Sequence, residues 1–70
     1  MNTITFEEVR RGGNFYSDLG SGEGVSLFKK LESEYTIIFS NNQQNPVNCV
    51  GLDGGYLAFC PYNLFVETEG

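Results

Sequence analysis

The sequence predicts an all-β domain: a small SH3-like or OB-like antiparallel barrel of five to six short strands, preceded by a short N-terminal helical turn. Three observations predict it. Short runs rich in β-branched and aromatic residues recur at even spacing along the chain. Gly-rich or Asn-rich stretches separate these runs. The one helix-start pattern is halted at once by Gly12-Gly13. Closing such a sheet would also remove edges that invite aggregation. Residues 1–70 contain no internal repeat and no linker, so they read as a single domain.

Each element rests on local chemistry. Thr5-Phe6-Glu7-Glu8 carries the capping-box spacing, with Thr at the cap and Glu three residues later. The helical turn it starts reaches Arg10 at most. Phe6 and Val9 then share one face and lie like a lid on the strands. Asn14–Asp18 is a short strand. Leu19-Gly-Ser-Gly-Glu-Gly24 reads as a hairpin connection; as an anion cradle it matches neither a Walker loop nor a dinucleotide fingerprint. Val25–Leu31 reads as a strand with Val25, Leu27 and Leu31 on one face, interrupted by Lys29. Leu31–Glu34 reads as a short turn. Glu34–Ser40 is the strongest strand signal, with Tyr35, Ile37 and Phe39 alternating against Thr36 and Ile38.

Asn41–Pro46 reads as a polar loop. Val47–Leu52 and Tyr56–Cys60 form two strands around Asp53-Gly54-Gly55, residues suited to a type I′ turn. Pro61 ends the fifth strand, and Leu64–Glu67 supplies a sixth. The last few residues are expected to fray.

Pairing register governs the two cysteines. A turn at Asp53-Gly54 sets Cys49 opposite Ala58, with Cys60 a diagonal neighbour about 7–8 Å away, beyond ordinary disulfide reach. A turn at Gly54-Gly55 sets Cys49 directly opposite Cys60, in the wider, hydrogen-bonded kind of pair. Both registers favour free thiols acting as small buried hydrophobes.

Composition limits the function classes. A chain of 70 residues buries only about 60% of its unfolded surface, so its core is marginal. Six Phe and four Tyr are its main packing resource. With no His and two Cys, neither a structural zinc site nor a His-activated nucleophile can be assembled, and no metal or cofactor is expected. The loop acids Asp18, Glu23 and Asp53 read as solvated rather than catalytic, so the expected class is not an enzyme. The net charge of −5 argues against non-specific nucleic-acid binding. No apolar run reaches the ~20 residues of a membrane span, and the N-terminus lacks a signal-peptide pattern. An intracellular location is the corresponding expectation.

A binding surface remains. The four cations form two doublets, Arg10-Arg11 and Lys29-Lys30. Convergence of these doublets beside Tyr16, Tyr35 or Tyr62 would suit a phosphate with an aromatic platform. Otherwise they are solvated charges and core-edge tyrosines.

The chain resembles small phage-encoded β-barrel accessory proteins. Those carry Phe-x-acid-Leu/Val, then two residues and Gly, then Phe; here these are Phe6, Glu8, Val9, Gly12 and Phe15. Their mid-chain apolar strand ending in Lys corresponds to Leu27-Phe28-Lys29-Lys30-Leu31. Their C-terminal pattern corresponds to Asn48, Cys49, Val50, Leu52, Asp53, Gly55, Leu57, Phe59, Pro61 and Val66. The sequence departs from the plan at Gly13, where an acid is usual, and in the LGSGEG loop. The resemblance covers structural positions along most of the chain. It implies an accessory protein that antagonises a host defence system. The concrete form would be a homo-oligomer sequestering a nucleotide-type signal, with Arg10, Arg11, Lys29 and Lys30 on phosphates and the tyrosines on the base. The alternatives are a protein–protein inhibitor of a host protein, with an aromatic hot spot, and a virion or assembly accessory.

Overall fold

The structure, a computed structural model, describes residues 1–69. Six strands form one antiparallel sheet: β1 (Asn2–Thr5), β2 (Asn14–Ser17), β3 (Ser26–Ile38), β4 (Gln44–Gly51), β5 (Leu57–Ala58) and β6 (Phe65–Thr68). Their spatial order is β1-β6-β2-β3-β4-β5. A lone 3₁₀ turn, Phe6–Glu8, is the only helical element among the described residues. The all-β class and the N-terminal turn are therefore as the sequence predicts. The closed barrel is not: β1 and β5, the outer strands, do not pair with each other. At two residues, β5 is too short to close the sheet. The fraying expected at the C-terminus concerns in part Gly70, which lies outside the described residues.

Several strand ends shift by one or two residues, and four larger differences stand out. Asn2–Thr5 form a strand paired with β6, from Asn2 against Thr68 to Thr5 against Phe65. The Leu31–Glu34 turn is a bulge within one 13-residue strand. Lys30 faces Cys49 and Tyr35 faces Val47, so β3 gains extra residues opposite Asn48. Gln44, Asn45 and Pro46 belong to β4 rather than to a loop, pairing with Ile38, Ile37 and Thr36. Pro46 is tolerated because β5 reaches β4 only at Cys49 and Val50, leaving an open edge beside it. The expected Tyr56–Cys60 strand shrinks to Leu57–Ala58. Past Ala58 the chain is held to β4 by a side chain, that of Asn48, rather than by the ladder.

The β4–β5 register sets Cys49 opposite Ala58. The positive φ values fall at Gly54 and Gly55, 109° and 70°, rather than at Asp53-Gly54. Gly51 O accepts from Gly55 N–H at 2.9 Å, and Gly51 N–H donates to Tyr56 O at 2.8 Å. The loop is therefore wider than a two-residue I′ turn. It folds the Tyr56 ring onto Gly51, where a Cβ would stand 2.6 Å from the ring. Both cysteines are free and buried.

One ring each from the 3₁₀ turn, β2 and β3 builds the core. Phe6 meets Phe15 edge-on at 5.1 Å, and Phe15 stacks on Phe28 at 5.6 Å. Val9, Cys49, Cys60 and Val66 complete the cluster. The capping residues act in one direction: the Glu8 carboxylate accepts from the Thr5 N–H at 3.1 Å and from its hydroxyl at 2.9 Å. These bonds, with burial opposing, hold the Glu8 pKa below its usual value.

Asn48, 3% exposed, closes the gap left by the short β5. Its amide nitrogen donates to Cys60 O at 2.9 Å, and its oxygen accepts from Cys60 N–H at 2.8 Å. The side chain thus replaces a missing ladder rung. Asn48→Ala is expected to cost roughly 2–4 kcal/mol, from two unsatisfied backbone groups, out of a total near 4–10 kcal/mol for this chain length. Urea unfolding checks this, with Asn48→Asp expected to fall between alanine and wild type.

Candidate functional site

The structure divides the cations and tyrosines singled out in the sequence among separate places. Arg10 and Tyr16 line a hollow of about 530 Å³ between the N-terminal turn and the end of β6. Arg11, Lys30 and Tyr62 line a second hollow of about 410 Å³ beside the β3 bulge. Lys29 and Tyr35 line neither. Lys29 and Lys30 are neighbours on a strand, so their side chains leave opposite faces, and the doublet cannot act as one clamp.

Lys30 has a structural role. Its ammonium donates to Val9 O at 2.8 Å, Phe6 O at 2.9 Å and Glu7 O at 3.2 Å. It also sits 4.6 Å from the centre of the Phe6 ring. Three carbonyl acceptors match the three N–H donors of an ammonium. Burial lowers its pKa, the Arg11 charge adds to this, and the charges of Glu7 and Cys60 oppose it. Within the turn Phe6 O accepts from the Val9 N–H at 3.0 Å; from β3, Lys30 adds a second donor to Phe6 O and supplies the Glu7 and Val9 carbonyls, which so short a turn does not satisfy.

Carboxylates line the same hollows as the arginines. Around the second hollow, Glu7, Glu32 and Glu34 stand against Arg11 and Lys30. Around the first, Glu8 and Glu69 stand against Arg10. Two of the three candidate tyrosine hydroxyls are engaged by acids: Tyr16 donates to Glu69 Oε1 at 2.7 Å, and Tyr62 to Glu34 Oε1 at 2.9 Å. The Glu69 bond, and then its charge, raise the Tyr16 pKa. Three amides of the glycine-rich loop are likewise satisfied within it. Ser17 Oγ accepts from Leu19 N–H, Asp18 Oδ1 from Gly20 N–H, and Ser21 Oγ from Glu23 N–H. Those amides are turned toward the loop's own side chains rather than toward an anion.

Aromatic surface is the feature the structure does assemble. The Tyr62 ring packs 5.5 Å from Phe6 and 6.2 Å from Phe59, and its hydroxyl is fixed by Glu34. Phe59 and Tyr62 remain 38% and 39% exposed. Sequence reasoning included Tyr62 but missed Phe59, Glu34 and Asn48. A polar Asn inside the apolar run Val47–Val50 was the signal that pointed to Asn48.

The thiols sit in apolar surroundings. Burial, then the charge of Cys60, pushes Cys49 up to about 12; burial pushes Cys60 up to about 11, against a lowering by Lys30. Among the described residues, no group of three or more thiol or carboxylate side chains is placed to hold a metal, and no helix is long and apolar enough to cross a membrane. Comparison of the chain with protein-family models, with curated proteins and with solved structures finds no match.

Substitution of the two lysines should separate their roles. Lys30→Met removes this donor from the Glu7 and Val9 carbonyls and leaves Phe6 O with the Val9 N–H alone; it is expected to destabilise by about 2–3 kcal/mol. Lys29→Met on the open face should stay within about 0.5 kcal/mol; thermal unfolding of both variants distinguishes them. For the thiols, the folded pKa values lie above the unfolded value of about 8.5. The unfolded chain therefore releases its thiol protons first, and stability falls as pH rises from about 8.5 toward about 11. Urea unfolding across that range should show a shallower fall for the double variant Cys49→Ala, Cys60→Ala.

Proposed function

We propose that this chain is a non-enzymatic binding protein that acts by contact with another protein, anchored by Phe59 and Tyr62. The observation that carries this reading is the pre-oriented aromatic pair. Tyr62 is held on two sides by Phe6 and Phe59 and at its hydroxyl by Glu34, yet both rings of the pair stay open to solvent. Rigid, exposed aromatics are favourable anchors, because little side-chain freedom is lost on binding. The net charge of −5 would steer the chain toward a basic partner. The resemblance of the sequence to phage accessory proteins makes a host defence protein, met in the host cytoplasm, the proposed target.

Nucleotide sequestration has one observation on its side, the presence of Arg11, Lys30 and Tyr62 around one hollow. The engagement of Lys30 by backbone carbonyls and the three carboxylates of that hollow weigh against it. The absence of His and the raised thiol pKa values support a non-catalytic role.

The test is affinity capture from host extract with wild-type protein and with Phe59→Ala. Wild type should retain a stoichiometric protein. Phe59→Ala should retain it at least roughly 30-fold less tightly, as for a hot spot of about 2 kcal/mol. Equal retention by Phe59→Ala, or a nucleotide-sized mass carried by the protein in native mass spectrometry, would contradict the proposal.

A further inference from the structure

Beyond the β3 bulge, β3 and β4 continue as a ribbon with no third strand beside it among the described residues. β2 reaches β3 only from Ser26 to Lys29, and β5 reaches β4 only at Cys49 and Val50. The ribbon exposes Tyr35 (53%), Ile38 (65%) and Phe39 (45%). A two-stranded ribbon is marginal by itself in water.

Hydrogen-bond alternation shows which edge is free to pair. Phe39 N–H donates to Gln43 O at 2.9 Å, so that pair bonds across the ribbon. Alternation makes Ile37/Asn45 and Tyr35/Val47 inward-bonding pairs as well. The Thr36/Pro46 and Ile38/Gln44 pairs then turn their main-chain groups outward. On the β4 edge, Pro46 has no N–H to offer. On the β3 edge, Thr36 and Ile38 present both N–H and C=O.

We infer that this β3 edge pairs antiparallel with the same edge of a second copy of the chain, about a two-fold axis at Ile37. Thr36 of each copy then faces Ile38 of the other and exchanges both main-chain bonds with it. On the opposite face, Tyr35 meets Phe39 of the second copy and Ile37 meets Ile37, pairs that stabilise a sheet. Such a contact is self-complementary, as a two-fold interface requires.

Charge favours a second copy as the occupant. No charged residue occurs from Tyr35 to Leu52, although the chain carries a net charge of −5. The edge lacks the lysines that ordinarily block strand pairing. It is the place where two equally acidic chains meet with least repulsion. Glu34, the nearest charge, lies opposite Ser40 of the second copy. The two Glu34 side chains are then separated by roughly 20 Å along the strands, well beyond a screening length of about 8 Å.

Sedimentation velocity and disulfide trapping test the inference together. Wild type should sediment as a dimer in the micromolar range. Ile38→Lys, at an exposed position that asks little of the fold, sets two like charges about 7–8 Å apart on the diagonal. It should weaken the dimer roughly tenfold or more. Ile37→Cys should cross-link to itself under mild oxidation, since the two-fold axis brings these residues face to face, whereas wild type, with its buried thiols, should not. A wild-type monomer with no Ile37→Cys cross-linking would overturn the inference. So would a dimer indifferent to Ile38→Lys, or a monomer whose edge takes up a strand of a different protein.

Discussion

The Lys30 ammonium is the tie on which the arrangement of this small sheet depends. The N-terminal turn is a single 3₁₀ turn whose internal bond, from Val9 N–H to Phe6 O, leaves the Glu7 and Val9 carbonyls to donors from elsewhere. Lys30 gathers those of Phe6, Glu7 and Val9 and so fastens the turn across β3. Phe6 is carried into the core by the same contact, where its ring meets Phe15. Two backbone bonds complete the fastening, from Phe6 N–H to Leu64 O and from Glu7 N–H to Tyr62 O. The turn thereby couples β3 to the segment before β6, and an open sheet acquires a closed core without becoming a barrel.

A second constraint acts at Asn48. The β3 bulge takes extra residues opposite this position, and β5 ends at Ala58. A buried amide that bonds both backbone groups of Cys60 bridges the interruption. On one side of it lies the aromatic core; on the other, the ribbon continues outside that cluster, with Val47 buried at its base. The molecule measures 41 × 24 × 21 Å, an elongation consistent with a sheet whose longest strands run past their neighbours. The aromatic pair at Phe59 and Tyr62 sits just after this junction in the chain. Its orientation is inherited from Phe6 and Glu34 rather than from the ribbon.

Much of the fold was legible because local chemistry and tertiary packing agree there. Asn14–Ser17, the glycine-rich connection and the β4–β5 hairpin arise from patterns that need no distant partner. Phe6 and Val9 were legible as a lid because their spacing is helical over a single turn. Three features were hidden. The bulge at Leu31–Glu34 looks like a turn because its polar and charged residues interrupt an apolar alternation. Pro46 looks incompatible with a strand until its N–H position is known to face an open edge. The roles of Lys30 and Asn48 depend on carbonyls 20 or more residues away for Lys30 and 12 away for Asn48. The candidate site was the least legible part. Adjacent cations invite a shared role, yet strand geometry sends Lys29 and Lys30 to opposite faces, and acids from distant segments engage Tyr16 and Tyr62.

The central claim, that Lys30 holds the fold together rather than a ligand, is open to direct observation by NMR of the two lysine ammonium groups. The chain has Lys29 and Lys30 and no other lysine, so assignment is simple. The account predicts that the Lys30 ammonium protons exchange slowly with water, show coupling across hydrogen bonds to carbonyl carbons, and do not shift on addition of pyrophosphate. Lys29 should exchange too fast to be seen. A Lys30 signal as fast-exchanging as that of Lys29, or one that moves as pyrophosphate is added, would contradict it.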